Sequence, residues 1–267
     1  MGELIFGVVF WVAAGLLFRS ASAGKRKMEA MESTETNTVE FLNSLARSMS
    51  QGVGAGSLRY ASEVRGKVVC AEPLISELAQ VACVHYAMRV QRRSEETYTA
   101  RDRQGRAERK TRTITETVAS NERSIPFDVD DGTGSIRIHP EHAEFVAEKV
   151  VSRFETDAAA GSTPYTVGRL AVVPGRFPDE GGRRTIGYQF EEEAVPVGRE
   201  VYVLGEATDR DGGLAIGSPG AEGRFIISVK SESALLQEER SAVRWKRIGS
   251  IACAVAGLIA LLTGLFR

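Results

Sequence analysis

The sequence predicts a mainly β protein, in which a membrane-adjacent all-β barrel or sandwich domain is flanked by two transmembrane α-helices. Two observations carry this prediction. Both ends of the 267-residue chain are strongly apolar, and the polar middle divides into short β-type runs separated by turn residues. The expected divisions are a first transmembrane helix at 1–24, a juxtamembrane linker with a short helix at 25–56, a β-rich domain at 57–235, and a juxtamembrane helix with the second transmembrane helix at 236–267.

The first predicted helix is built on Leu4–Phe18, an unbroken apolar run of fifteen residues. As a helix this run would reach about 22 Å, short of a hydrocarbon core of about 30 Å, and the small residues after Arg19 could extend it. A cleaved signal peptide is the alternative, because Ala21-Ser22-Ala23 resembles an A-x-A cleavage site. The lack of Lys or Arg before the run and the position of Arg19 disfavour cleavage.

The second predicted helix is built on Ile248–Phe266, nineteen residues without a charge that would reach about 28 Å. Glu232–Arg247 is expected to begin the same helix outside the membrane. Gly249, Cys253 and Gly257 fall four residues apart, a spacing of small residues that favours contact with another helix. The partners that these segments predict are the lipid bilayer and a second copy of the chain, in a homo-oligomer formed through this small-residue face.

Basic residues flank both apolar segments on the side of the central domain. They are Arg19, Lys25, Arg26 and Lys27 after the first segment, and Arg240, Arg244, Lys246 and Arg247 before the second. The outer flanks carry Arg267 and the terminal amine. This bias predicts a multi-pass membrane protein whose central domain is cytoplasmic, although long domains obey the rule less strictly.

Between the ends, the pattern predicts one short helix and then strands. Val39, Leu42, Leu45 and Met49 recur at helical spacing, and Thr36 or Thr38 could cap that helix. Pro140–Phe154 stays open between strand and helix. The nine predicted strand runs are 64–70, 83–90, 111–119, 125–129, 134–139, 166–173, 185–193, 200–207 and 223–229.

Two charged or glycine-rich segments between the runs predict irregular or exposed structure. Glu95–Arg112 is rich in Arg, Glu and Lys and has no apolar period, which indicates a long solvated hairpin or a mobile excursion. Pro174–Arg184 is expected to be a loop.

Composition excludes several functions. The 34 Lys and Arg residues against 35 Asp and Glu residues leave a net charge of −1, which argues against a nucleic-acid partner. Three cysteines and three histidines argue against a disulfide-dense scaffold, and they are too few for the roughly eight ligands of a cross-brace zinc domain. We therefore expect no metal, no cofactor and no catalytic residues.

Three patterns suggest chemistry, and each has a simpler interpretation. Asp128, Asp130 and Asp131 resemble a calcium loop, but the glycines and the missing acid at the twelfth position favour a hairpin turn. Cys83 and His85 should lie on one face of a strand, where a buried thiol and a satisfied imidazole are the default interpretation. The three acids Glu191–Glu193 could act as acid–base groups, but a solvated strand end is more common.

An ordered set of short motifs extends from residue 36 to residue 266. Its members are Thr36–Val39, Val64–Val68, Glu72–Leu74, Cys83–Tyr86, Pro126-Phe127 with Asp130–Gly134, Ile138–Pro140, Gly187-Tyr188, Glu191/Glu192, Pro196, Gly198, Val201–Glu206 and Phe225–Ser228. The set, framed by two apolar segments, resembles the MULAN/GIDE family of membrane-anchored RING-type E3 ubiquitin ligases.

The resemblance implies a GIDE/BAM-type β-rich domain and its membrane anchors. In the ligases of the family a RING finger follows the second span, whereas here no zinc ligands follow Arg267, so we expect a RING-less, prokaryotic relative without autonomous ligase activity. The organellar relatives are thought to hold the domain away from the cytosol, in contrast to the charge bias. The leading hypothesis is a partner-recognition or membrane-organising module. The alternative is a membrane subunit of a ubiquitin or ubiquitin-like ligase system. An enzyme of another class, using Cys83 and His85 or the Glu191 cluster, is a distant third.

Overall fold

The computed structural model describes residues 2–54, 56–101, 105–156, 165–172, 183–210, 213–220 and 223–265. Strands predominate between two long terminal helices, which confirms the predicted fold class. The chain divides into two compact units, one formed by Met1–Val64 with Tyr202–Arg267 and the other by Arg65–Val201.

The helices belong to the first unit. They are α1 (Gly2–Ser33), α2 (Val39–Gly52) and α3 (Glu232–Leu265). Thr38 caps α2, because its hydroxyl accepts a hydrogen bond from the backbone N–H of Phe41 at 3.2 Å. Thr36 instead donates a hydrogen bond to the buried Glu63 carboxylate at 2.6 Å. The predicted short amphipathic helix is confirmed, and its cap is the second of the two candidate threonines.

Every predicted strand run contains a strand. The strands are β1 (Arg59–Val69), β2 (Leu74–Ile75), β3 (Ala82–Arg101), β4 (Ala107–Ser124), β5 (Phe127–Asp130), β6 (Ser135–Ile138), β7 (Glu144–Val146), β8 (Glu148–Thr156), β9 (Tyr165–Val167), β10 (Leu170–Val172), β11 (Arg183–Pro196), β12 (Glu200–Thr208), β13 (Ala215–Gly217) and β14 (Ile226–Ser228). The ambiguous segment 140–154 forms strands β7 and β8.

The charged segment 95–112 lies at the far end of a long antiparallel hairpin of β3 and β4, so the hairpin interpretation is confirmed for its described residues. Residues 174–182 of the predicted loop lie outside the described residues, and Arg183 begins β11.

In the first unit, β12 pairs antiparallel with β13 and β14. Its apolar side chains are buried with those of its neighbours: Val203, Leu204, Ile216, Ile226 and Ile227. Gly205 allows the close approach of β13, because an added Cβ would lie 2.8 Å from the carbonyl oxygen of Gly217.

In the second unit, an antiparallel sheet has the order β4, β3, β11 and β8, and β2 pairs with the start of β3. One face of this sheet carries an apolar cluster made of Leu78, Met88, Val90, Val167, Tyr188 and Phe190. The end of β1 pairs with β5, which forms a hairpin with β6. Because side chains alternate between the two faces of a strand, this cluster buries one face of the sheet, and the opposite face is available for other contacts.

Candidate functional site

The two long helices pack against each other in antiparallel directions. A Cβ added at Gly7 would lie 2.8 Å from Leu261 Cγ, and one added at Gly24 would lie 2.7 Å from Val243 Cγ2. Midway, the Ser250 hydroxyl donates a hydrogen bond to the carbonyl oxygen of Ala14 at 3.0 Å. Small residues at these positions let the two backbones approach closely.

The small-residue face predicted on α3 contacts α1 of the same chain. A Cβ added at Gly257 would lie 2.8 Å from Trp11 Cδ1, and one added at Gly249 would lie 3.4 Å from Leu17 Cδ1. Cys253 lies between them and is a half-buried free thiol. The prediction of helix contact is confirmed for the two glycines, whereas the homo-oligomer stays a prediction.

The outward faces of the pair are apolar and uncovered. Leu16 and Ile251 are each 65% exposed. Other large apolar side chains share this exposure: Val8, Val9, Trp11, Val12, Phe18, Ile248, Val255, Leu258, Ile259 and Leu262. Gly7–Ser33 and Glu232–Thr263 are long and apolar enough to cross a membrane.

Ion pairs join the ends of the two helices that lie away from this apolar surface. Lys27 is almost fully buried, and its ammonium lies 3.1 Å from the Glu239 carboxylate. Arg240 contacts Glu32 at 2.6 Å. The helix pair therefore changes from an apolar section to a section held by charge pairs.

The Cys83 and His85 side chains are buried but separated. Between Val195 and Pro196 the register of β11 on β3 shifts, so Val84 has no counterpart in β11. Beyond this bulge, Cys83 packs with Tyr86 and Ala194. Sequence alternation predicted that Cys83 and His85 share a face, and the extra residue of the bulge makes that prediction wrong.

The two groups are also poorly suited to catalysis at neutral pH. Burial, followed by the negative charge of Glu192, raises the pKa of Cys83 to about 11. Burial lowers the pKa of His85 to about 4. The His85 ring stacks on Phe145 with centroids 3.6 Å apart, and its Nδ1 has no hydrogen-bond partner among the described residues. The thiol is therefore protonated and the imidazole is neutral at pH 7.

Glu192 is a buried structural residue that sequence reasoning missed. It was expected at a solvated strand end, but its side chain is fully buried. It accepts hydrogen bonds from the backbone N–H groups of Glu77, Leu78 and Ala79 at 2.7 to 2.9 Å. The sequence pattern that could have identified Glu192 as buried is the two-residue alternation along β11, which places it on the same face as the buried Phe190.

The aspartates of the β5–β6 hairpin hold a turn, as the turn interpretation predicted. The Asp130 carboxylate accepts from the N–H of Gly132 at 2.8 Å, and Asp131 accepts from the N–H of Thr133 at 2.8 Å. Gly132 has φ +86°, a conformation that glycine adopts without strain. Throughout the described ranges, no group of three His, Cys, Asp or Glu side chains is arranged to hold a metal ion.

An open groove of about 430 Å³ lies on the sheet of the second unit. It crosses β4, β3 and β11, and its lining residues are Ala87, Met88, Arg89, Ser120, Asn121, Glu122, Glu191 and Glu193. Lys149 lies 3.8 Å from Glu191 and partly offsets its charge. Three carboxylates against one guanidinium give the groove an acidic lining.

A comparison with protein families agrees with this architecture. A family model described as GIDE, E3 ubiquitin ligase, matches residues 95–262. Neither a curated protein nor a solved structure matches the chain. The family match begins within β3 and ends within α3, and it covers more than half of the chain. This chain belongs to the GIDE family.

Proposed function

We propose that this GIDE-family protein crosses the membrane twice and recognises a protein partner at the cytoplasmic surface. The observation that carries the proposal is the exposed apolar surface of α1 and α3. A soluble protein rarely leaves such a surface in contact with water, whereas a bilayer covers it without cost.

The lengths of the helices support the same assignment. α1 has 32 residues and α3 has 34 residues, so each extends about 50 Å, against about 30 Å for a hydrocarbon core. The excess corresponds to the ends joined by the Lys27–Glu239 and Arg240–Glu32 pairs, which belong in water or among headgroups. The excess of cations at these ends favours the cytoplasmic side for the connected strands.

The acidic groove is the surface that we assign to partner recognition. It is concave, it combines carboxylates with the hydroxyl group of Ser120, and its lining residues lie on three paired strands. Its charge favours a basic segment of a protein. Because Glu122 and Glu193 are exposed, their contribution should fall as the salt concentration rises.

Photo-crosslinking in membranes tests the recognition surface. A photo-crosslinking amino acid at Ser120, inside the groove, should capture a protein, and the same probe at Thr99, exposed on the distal part of β3, serves as the matched control. Combining the Ser120 probe with Glu122→Gln and Glu193→Gln should abolish the adduct. An adduct that forms equally from Thr99, or that survives both substitutions, contradicts the assignment of the groove.

The family match favours a second candidate, a membrane subunit of a ubiquitin or ubiquitin-like ligase system with the RING chemistry on another chain. The identity of the crosslinked protein separates the two: a RING protein or a ubiquitin-charged enzyme supports the second candidate. The prokaryotic origin of the protein stays a prediction within either proposal.

A further inference from the structure

The junction between the apolar and charged sections of the helix pair is defined by two contacts. Leu17 of α1 meets Gly249 of α3, and Gly24 meets Val243. Because the helices are antiparallel, residues 17–24 are level with residues 243–249. The cations within these two stretches therefore lie at one height of the helix pair.

Four cations occupy this height, and we call them the belt: Arg19, Arg244, Lys246 and Arg247. Three of them are exposed, and Lys246 is half-exposed. Neither helix has an acidic residue between Glu3 and Glu29 or after Glu239. Across the described residues, none of the four belt cations forms an ion pair.

Of the four other cations on the two helices, three are paired with acids, whereas Arg26 is exposed and forms no ion pair among the described residues. Further from the apolar section, Lys25 pairs with Glu29 at 2.9 Å, Lys27 with Glu239, and Arg240 with Glu32. A cation that is already paired with an acid needs no external anion. The belt cations have no acidic partner within their own helices. Four of the five unpaired cations of the helix pair thus lie at the edge of the apolar surface, and the fifth is Arg26.

Trp245 marks the same height as the headgroup level of a bilayer. It is 71% exposed and lies between two belt cations in the sequence, and tryptophan prefers the interface of a membrane. The exposed apolar residues begin beside it, with Phe18 on α1 and Ile248 on α3. If the helices cross a bilayer as proposed, cations at this level would lie beside lipid phosphates.

We propose that the belt binds anionic phospholipid headgroups, so that the protein carries a shell of anionic lipid around its membrane helices. The inference rests on the proposed membrane crossing. Three of the four belt cations are arginines, whose planar guanidinium groups bind phosphate oxygens bidentately. Attraction of about 1 kcal/mol per cation near an anionic surface corresponds to about fivefold in local lipid preference.

The chain contains two tryptophans, which makes each a site-specific reporter. The full chain is reconstituted into phosphatidylcholine vesicles with a small fraction of dansyl-labelled lipid, either phosphatidylglycerol or phosphatidylcholine. With Trp11→Phe, energy transfer from Trp245 measures which lipid surrounds the belt. With Trp245→Phe, quenching of Trp11 by lipids brominated in their acyl chains measures insertion, since Trp11 lies about 12 Å beyond Arg19 along α1.

We expect stronger energy transfer from Trp245 to labelled phosphatidylglycerol than to labelled phosphatidylcholine. Replacing all four belt cations by Gln should remove the preference, and replacing the three arginines by Lys should largely keep it. The matched control neutralises four cations elsewhere, Arg47→Gln, Arg101→Gln, Arg109→Gln and Lys110→Gln, and should keep the preference.

Two results overturn the lipid inference while leaving the membrane crossing intact. One is equal energy transfer from Trp245 to both labelled lipids in a protein whose Trp11 is quenched by the brominated lipids. The other is a control variant that loses the lipid preference as fully as the variant with the four belt cations replaced by Gln. If Trp11 is not quenched in the protein that keeps all four belt cations, both the membrane crossing and the lipid inference are overturned. In the variant with the four belt cations replaced by Gln, quenching of Trp11 shows whether the helices are still inserted. Loss of the preference for phosphatidylglycerol in an inserted variant supports binding of anionic lipid by the belt.

Discussion

The Glu192 carboxylate lies 2.7 Å from the backbone nitrogen of Ala79. Two further backbone N–H groups, those of Glu77 and Leu78, donate to the same carboxylate at 2.9 Å. One fully buried side chain of β11 therefore satisfies three successive donors of the segment between β2 and β3. This arrangement fixes that segment to the sheet that carries the groove.

Glu192→Ala should lower the free energy of unfolding by about 3 kcal/mol, because three buried N–H groups lose a charged acceptor. Glu192→Gln, which keeps one acceptor oxygen, should lose less. The control is Glu191→Ala, since the Glu191 side chain is 36% exposed and surface substitutions change stability by about 0.5 kcal/mol or less. Denaturant unfolding in detergent measures all three, and equal losses at positions 191 and 192 would contradict the structural role of Glu192.

His85 should make the protein less stable as the pH falls from 6.5 to 4. Burial lowers the pKa of His85 to about 4, so the unfolded chain binds a proton in this window that the folded chain does not. The stabilisation is complete above pH 6.5 and decreases by up to roughly 3 kcal/mol by pH 4. His85→Phe, which can still stack on Phe145, should flatten this dependence in unfolding measurements across the window. An unchanged slope in that variant would show that His85 is not the responsible group.

Gly257→Leu should separate α1 from α3, because a Cβ at this position would lie 2.8 Å from Trp11 Cδ1 and 3.2 Å from the carbonyl oxygen of Gly7. Overpacking of this kind costs about 1–3 kcal/mol, and thermal unfolding in detergent measures it. Gly15→Leu is the matched control: it gains the same helix propensity, and nothing lies within 4 Å of its added Cβ. A loss of equal size in both variants would contradict the close packing at Gly257.

Cys70 reports the sidedness of the protein. It is a half-exposed free thiol, whereas Cys83 is buried with a pKa raised to about 11, so a maleimide should modify Cys70 first. If the domain is cytoplasmic, a membrane-impermeant maleimide should label inverted vesicles and not intact cells. Cys70→Ser should abolish the labelling. Labelling of Cys70 in intact cells would show that the domain faces outward and that the charge bias misleads.

The sequence by itself determined the features that depend on neighbouring residues. Local composition and period predict the two apolar ends that form long helices, the cations beside them, the strand runs and the Asp130–Gly132 turn. The family resemblance was also contained in the order of short motifs, and the match over residues 95–262 confirms it.

Tertiary structure decided which of these features meet. Alternation could not anticipate the bulge at Val84, which separates Cys83 from His85, because a bulge depends on the register of the partner strand. The sequence prediction placed Glu192 at a solvated strand end, and only the approach of the segment around Ala79 explains why a carboxylate is stable when buried there. The contact between Gly257 and Trp11 likewise joins the two ends of the chain. Such contacts depend on residues distant in sequence, and no local pattern records them.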